Sequence, residues 1–137
     1  ERLVGSEMCI RDRFWVIDQV KAAVADCLAA TDKRASELKI ACFGLAFKPN
    51  IDDLRESPAM EIAELIAQWH SGETLVVEPN IHQLPKKLTG LCTLAQLDEA
   101  LATADVLVML VDHSQFKVIN GDNVHQQYVV DAKGVWR

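Results

Sequence analysis

Two short runs, Ile40–Phe43 (IACF) and Asp105–Val111 (DVLVMLV), constrain the fold more than any other feature. Neither alternates apolar with polar, so each needs cover on both faces. A strand of that kind belongs to a parallel sheet with helices above and below. Amphipathic segments lie between the runs, and strand and helix continue to alternate to the C-terminus. The pattern argues an α/β fold: a Rossmann-like, doubly wound parallel sheet of about five strands, preceded by a linker helix.

The remaining elements follow from spacing. Phe14–Ala30 predicts a helix with Ile17, Val20, Val24, Cys27 and Leu28 on one stripe. Its abrupt start has the look of the tail of a longer element, and Thr31–Glu37 reads as a polar linker. Ser57 and Pro58 predict the N-cap and first position of a helix running to His70. Its inner face carries Ala59, Ile62, Ala63, Ile66 and Trp69, and Ser71-Gly72 ends it. Leu75–Val77 is a second strand and Leu91-Cys92 the site of a short third. Thr93 is expected to cap a helix through Thr103, with Leu94, Leu97 and Leu101 inward. A helical turn is expected at Phe116–Ile119, a turn at Asn120-Gly121 and a last strand at Tyr128–Val130. Residues 1–13 show neither a helical face nor strand alternation; they look like a translated adapter or vector scar, or a disordered end. The expected organisation is thus 1–13 outside the fold, 14–37 helix and linker, and 38–137 one α/β domain.

A chain of 137 residues can bury a real core. The net charge of −6 removes the basic footprint of a nucleic-acid binder. Phosphate binding would have to come from a few placed cations. The cysteines, Cys9, Cys27, Cys42 and Cys92, form no CxxC pair and read as reduced thiols of a cytoplasmic protein. No apolar run approaches the roughly 18 residues of a membrane span.

Between Gly44 and Pro58 lies a connection long enough to be functional. It carries Phe47, Lys48, Asp52, Asp53, Arg55 and Glu56, at the edge where open α/β sheets bind ligands. Lys133 follows the last strand. With common strand orders, Lys48 and Lys133 flank one crevice, and two ammonium groups there suit a pyrophosphate. Read alone, Lys48 is more readily a solvated loop lysine and Phe47 a packing anchor, and Arg55 is the partner of Asp52 or Glu56 or a fork aimed at a phosphate. Glu78 sits where a ribose-binding acid sits in NAD sites, but the dinucleotide fingerprint is missing: Gly44 is followed by Ala46, Lys48 and Asn50. Glu78 therefore reads as a strand-end turn residue. His70, His82, His113 and His125 lack metal-ligand spacing, and no cysteine has the setting of an activated nucleophile. No catalytic or metal residue is expected.

FGLAFKPNIDDLRESPA resembles the segment that opens the C-terminal domain of the UDP-glucose/GDP-mannose dehydrogenase family. The likeness continues through VVEPN, ADVLVMLVDH and YVVDAKGVWR, over roughly Phe14–Arg137. The first loop and the ending DAKGVWR are most similar to bacterial members acting on UDP-N-acetyl-D-mannosamine. The resemblance implies NAD-dependent oxidation of a sugar C6 alcohol to a carboxylate, in two hydride transfers through a cysteine-bound intermediate, for surface polysaccharide synthesis. It implies three parts, with NAD held mainly by an N-terminal domain, and a homodimeric full-length enzyme. It assigns Phe47, Lys48 and Lys133 to the UDP-sugar and Arg55 to NAD. The family's Gly-Gly-His-Cys motif is absent from this chain, so a fragment inactive alone is expected. Two other classes remain: a phospho-receiver-like module, in which Asp52-Asp53 and Lys133 would serve, and a purely structural dimerisation domain. Against the receiver, the acidic pair lies far beyond the strand tip where Mg²⁺ would be held.

Overall fold

The computed structural model describes residues 10–45, 58–79, 81–111 and 128–131, the side chains of 10–12 and 131 excepted. Its centre is a sheet of five parallel strands in the order β3-β2-β1-β4-β5. The strands are β1 (Ile40–Phe43), β2 (Thr74–Val77), β3 (Thr93–Leu94), β4 (Val106–Met109) and β5 (Tyr128–Asp131). β1 lies between β2 and β4, with Phe43 level with Val77 on one side and Met109 on the other. Met109 is in turn level with Asp131 of β5.

The continuous apolar runs are explained by what covers them. α1 (Ile10–Ala30) packs over β4 and β5 and beside α2 (Pro58–Trp69). That layer meets Ile40, Cys42, Val76, Val106, Val108 and Val130. α3 (Leu97–Thr103) lies on the other face, where Ala41, Phe43, Leu75, Val77, Leu107 and Met109 cluster with Ala100 and Ala104. Successive residues of each strand thus serve opposite layers, as the pleat requires.

Several expectations are corrected. α1 begins at Ile10 rather than Phe14, so the reading of residues 1–13 as non-helical fails for Ile10–Arg13. Arg13 shares a helical row with Ile17 and Lys21, and its Nη1 donates to Glu61 Oε1 on α2 at 2.8 Å. The buried stripe is Val16, Val20, Ala23, Val24 and Cys27, with Ile17 and Leu28 only half-buried. Trp69 does not face the core; it is 42% exposed, with Lys21 Nζ 5.6 Å from its ring centroid. β3 falls at Thr93–Leu94, two residues later than expected. The chain stays paired with β2 until the Ala95 amide donates to Val76 O at 2.8 Å. Thr93 is therefore a strand residue, and Gln96 occupies the N-cap of α3. The expectations at Ser57, Phe116–Ile119 and Asn120-Gly121 lie outside the described residues, as do residues 1–9.

Two side chains, Asp105 and His70, help close the amino edge of the sheet. Asp105, entering β4, accepts from Lys33 Nζ at 2.8 Å and from the Lys39 amide at 3.0 Å. One carboxylate thus joins the linker after α1 to the start of β1. His70, just past α2, hydrogen-bonds through Nε2 to Leu38 O at 2.8 Å and is buried. Gly72 makes that approach possible. A Cβ there would lie 2.4 Å from Leu38 O and 2.9 Å from Ala35 O, both backbone atoms. Gly72→Ala is therefore expected to destabilise the chain by about 2 kcal/mol, lowering the thermal unfolding midpoint by roughly 5–10 °C. An unchanged midpoint in a melting experiment would contradict the packing described.

Candidate functional site: the carboxyl edge of the sheet

The strand order reverses direction between β1 and β4, which makes their carboxyl ends the switch point where such sheets bind ligands. Backbone bonds fix this edge tightly. Phe43 O accepts from the amides of both Leu110 and Val111, at 3.0 and 3.1 Å. The Gly44 amide donates to Val77 O at 2.9 Å. Gly44 turns with φ +100°, and a Cβ on it would fall 2.5 Å from Val111 Cβ. The glycine that ends the apolar run is thus needed both for its conformation and for the closeness of β4.

The next amide, that of Leu45, donates to Glu78 Oε1 at 2.7 Å. Glu78 is buried, at 3% exposure, as is Leu45. Sequence reasoning treated Glu78 as a turn residue, because an acid after a strand carries no local sign of which amide it meets. Its position beside the first strand end was the available signal. With Oε1 engaged by Leu45, the described edge does not reproduce a dinucleotide cradle. The expected second glycine is absent, and the acid that would meet a ribose is turned inward.

Phe47, Lys48, Arg55 and Lys133, together with Asp52, Asp53, His113 and His125, lie outside the described residues. The strand ends that lead to them do not. Phe43, Met109 and Asp131 are level across β1, β4 and β5, so the first and last of these ends stand about 10 Å apart, two strand spacings. Among the other histidines, His70 is structural and His82 is exposed. No group of three His, Cys, Asp or Glu residues able to hold a metal occurs among the described residues. The end of β3 runs through Leu94, Ala95 and Gln96 into α3, without the carboxylate a phospho-receiver needs there. No helix among the described residues is long and apolar enough to cross a membrane.

The described cysteines, Cys27, Cys42 and Cys92, form no disulfide. Their protons are held more tightly than usual. Burial, then the charge of Asp105, raises Cys27. Burial raises Cys42 well above the ordinary thiol range. Burial, then the charge of Glu64, pushes Cys92 up to about 11. An activated nucleophile needs the opposite shift.

The sequence pattern described as "UDP-glucose/GDP-mannose dehydrogenase family, UDP binding domain" matches residues 41–137. The chain belongs to this family. It is 92% identical to the UDP-N-acetyl-D-mannosamine dehydrogenase of Escherichia coli (strain K12), over 99% of the chain and 33% of that protein. It is 67% identical to the enzyme of the same name from Yersinia pestis, over the same shares of each. The chain therefore spans about a third of the length of the curated relatives it matches. Among solved structures, the UDP-N-acetyl-mannosamine dehydrogenase of Staphylococcus aureus superposes with a TM-score of 0.66 at 26% identity. That match covers 92% of this chain and 28% of the other.

The raised thiols carry a pH dependence with a definite sign. Unfolded thiols ionise near 8.5, so unfolding releases protons that Cys42 and Cys92 retain when folded. Their contribution to stability is complete below that pH and declines as pH rises toward about 11 for Cys92. Each such group accounts for at most about 1.4 kcal/mol per pH unit. Urea titrations between pH 8 and 10.5 are expected to show falling stability, with a shallower fall in Cys92→Ala. Parallel slopes for the two proteins would contradict the raised Cys92.

Proposed function

We propose that this chain is the C-terminal, UDP-sugar-binding part of an NAD-dependent UDP-N-acetyl-D-mannosamine 6-dehydrogenase of the bacterial cytoplasm. The enzyme oxidises UDP-N-acetyl-D-mannosamine to the uronate through two hydride transfers, with water supplying the second carboxylate oxygen, for surface polysaccharide synthesis. The observation that carries this reading is the near-identity to the E. coli enzyme across almost the whole chain. The fold supports it: a rigid strand edge at the switch point, with the ends of β1 and β5 close enough for the loops after them to share one ligand.

In this reading Phe47 and Lys48, after β1, and Lys133, after β5, hold the UDP portion. The two ammonium groups meet the diphosphate and the ring of Phe47 packs on the nucleoside. Arg55 reaches toward NAD. The cofactor's main cradle and the cysteine that carries the sugar belong to other parts of the full-length enzyme, in keeping with the missing glycine fingerprint at β1. That enzyme is a homodimer.

Two experiments test the reading. In the full-length enzyme, Lys48→Ala and Lys133→Ala are each expected to weaken UDP binding by roughly tenfold or more, the scale of a lost charge-assisted contact. Calorimetric titration reads this directly, and unchanged affinity in both variants would contradict the assignment. The chain of 137 residues by itself, mixed with NAD and UDP-N-acetyl-D-mannosamine, is expected to form no NADH; absorbance at the NADH band rising above background would refute this.

A further inference from the structure

We propose, on the preceding reading of this chain as one part of an enzyme about three times as long, that α1 and the linker after it belong to the rigid body of the domain. The pivot about which the domain turns against the rest of the enzyme then lies upstream of Val16. Asp105 is the clamp that keeps residues 31–38 from serving as that pivot.

A polar stretch after a helix is where a hinge is ordinarily sought, because hinges are short loops whose backbone is free to change φ and ψ. Residues 31–38 are polar, yet their backbone is held. The Arg34 amide donates to Glu37 Oε1 at 2.7 Å. The amides of Glu37 and Leu38 donate to Arg34 O and Ala35 O, at 2.9 and 3.2 Å. The Leu38 side chain is fully buried, and its carbonyl meets His70 Nε2 at 2.8 Å. Asp105 then fixes the exit. Its Oδ2 accepts from the Lys39 amide at 3.0 Å, and its own amide donates to Lys39 O at 2.8 Å. Both backbone polar groups of Lys39 are thus bound to one residue of the β4 entry. The Lys33 contact to the same carboxylate is exposed and adds little, so the backbone pair does the holding.

α1 is held as firmly. Val16, Val20, Val24 and Cys27 are buried in the layer that covers β4 and β5. Swinging the helix off the sheet would expose that whole stripe. The two residues before it differ: Phe14 is 60% and Trp15 41% exposed. Arg13 meets Glu61 in a surface pair worth little by itself. The held part of the helix therefore begins at Val16. From there to Cys27 it runs about 16 Å at 1.5 Å per residue. A turn about a point before Val16 carries the sheet and its carboxyl edge as one piece, without distorting a ligand seated there.

Native-state hydrogen exchange on the full-length enzyme, read by mass spectrometry on overlapping fragments, tests this. The amides of Glu37, Leu38 and Lys39 are expected to exchange at least about 100-fold slower than in an unstructured peptide, and to open together with Val20 and Val24 as urea is raised. Linker amides exchanging at the unstructured rate while Val20 and Val24 stay protected would overturn the proposal. In Asp105→Ala, Leu38 and Lys39 are expected to exchange about tenfold faster relative to Val20 and Val24 than in wild type, the scale of one lost hydrogen bond. An unchanged ratio overturns the clamp. Should that variant fail to fold, Asp105→Asn decides: it keeps an acceptor oxygen without the charge, and a rise of about threefold supports the clamp where no rise overturns it. Adding UDP and NAD is expected to change exchange in the linker and in α1 by the same factor. A change confined to 31–38 places the pivot there and overturns the proposal. The first measurement needs no ligand, so an enzyme that does not bind UDP contradicts the nucleotide reading and leaves the position of the pivot standing.

Discussion

Phe43 and Gly44 hold the molecule together at the carboxyl edge of its sheet. The Phe43 carbonyl is shared by two amides of the β4 exit, and the Gly44 amide continues the ladder into β2. The missing side chain of Gly44 lets Val111 press against the turn. Three strands are thereby locked at one point, and that point is where the strand order reverses. Strand ends held by these backbone bonds stay in register with one another. This is the physical reason an open parallel sheet makes a good platform for ligands carrying fixed negative charge.

The opposite edge has a different task. Asp105 fastens the linker after α1 to the residue before β1, partly through a half-buried bond to the Lys39 amide. The accompanying Lys33 contact is exposed and adds little by itself. His70 ties the end of α2 to Leu38 beside it. With α1 also packed along β4 and β5, the helix that opens the fold is a rigid part of the domain rather than a loose leader. Relative motion between this layer and the sheet would break buried contacts along α1, including Val16, Val20 and Val24.

What could be read from the residues divides along physical lines. The parallel sheet was legible because a strand buried on both faces must be apolar throughout, and IACF and VLVM have no other use. Right-handed crossovers put the strands' carboxyl ends on one edge, and the neighbours of the fourth strand matched the common orders of such sheets. The misplacements came where tertiary contacts override local pattern. Arg13 extends α1 because Glu61 waits on the neighbouring helix. Trp69 leaves the core because Lys21 offers its ring a partner at the surface. Thr93 joins β2 instead of capping a helix. Glu78 was the instructive miss, since the amide it serves is 33 residues away in sequence. Strand order alone suggested a shared anion site for Lys48 and Lys133, whereas Phe47 and Arg55 gained roles only through the family resemblance. Each has an ordinary loop explanation, and nothing in spacing alone separates the two.

A structure of the full-length enzyme with UDP bound examines the central claim most directly. The account places the diphosphate over the β1–β4 switch point, with the ammonium nitrogens of Lys48 and Lys133 both within about 3 Å of its oxygens. A diphosphate seated elsewhere, or those two nitrogens on separate faces of the domain, would contradict it.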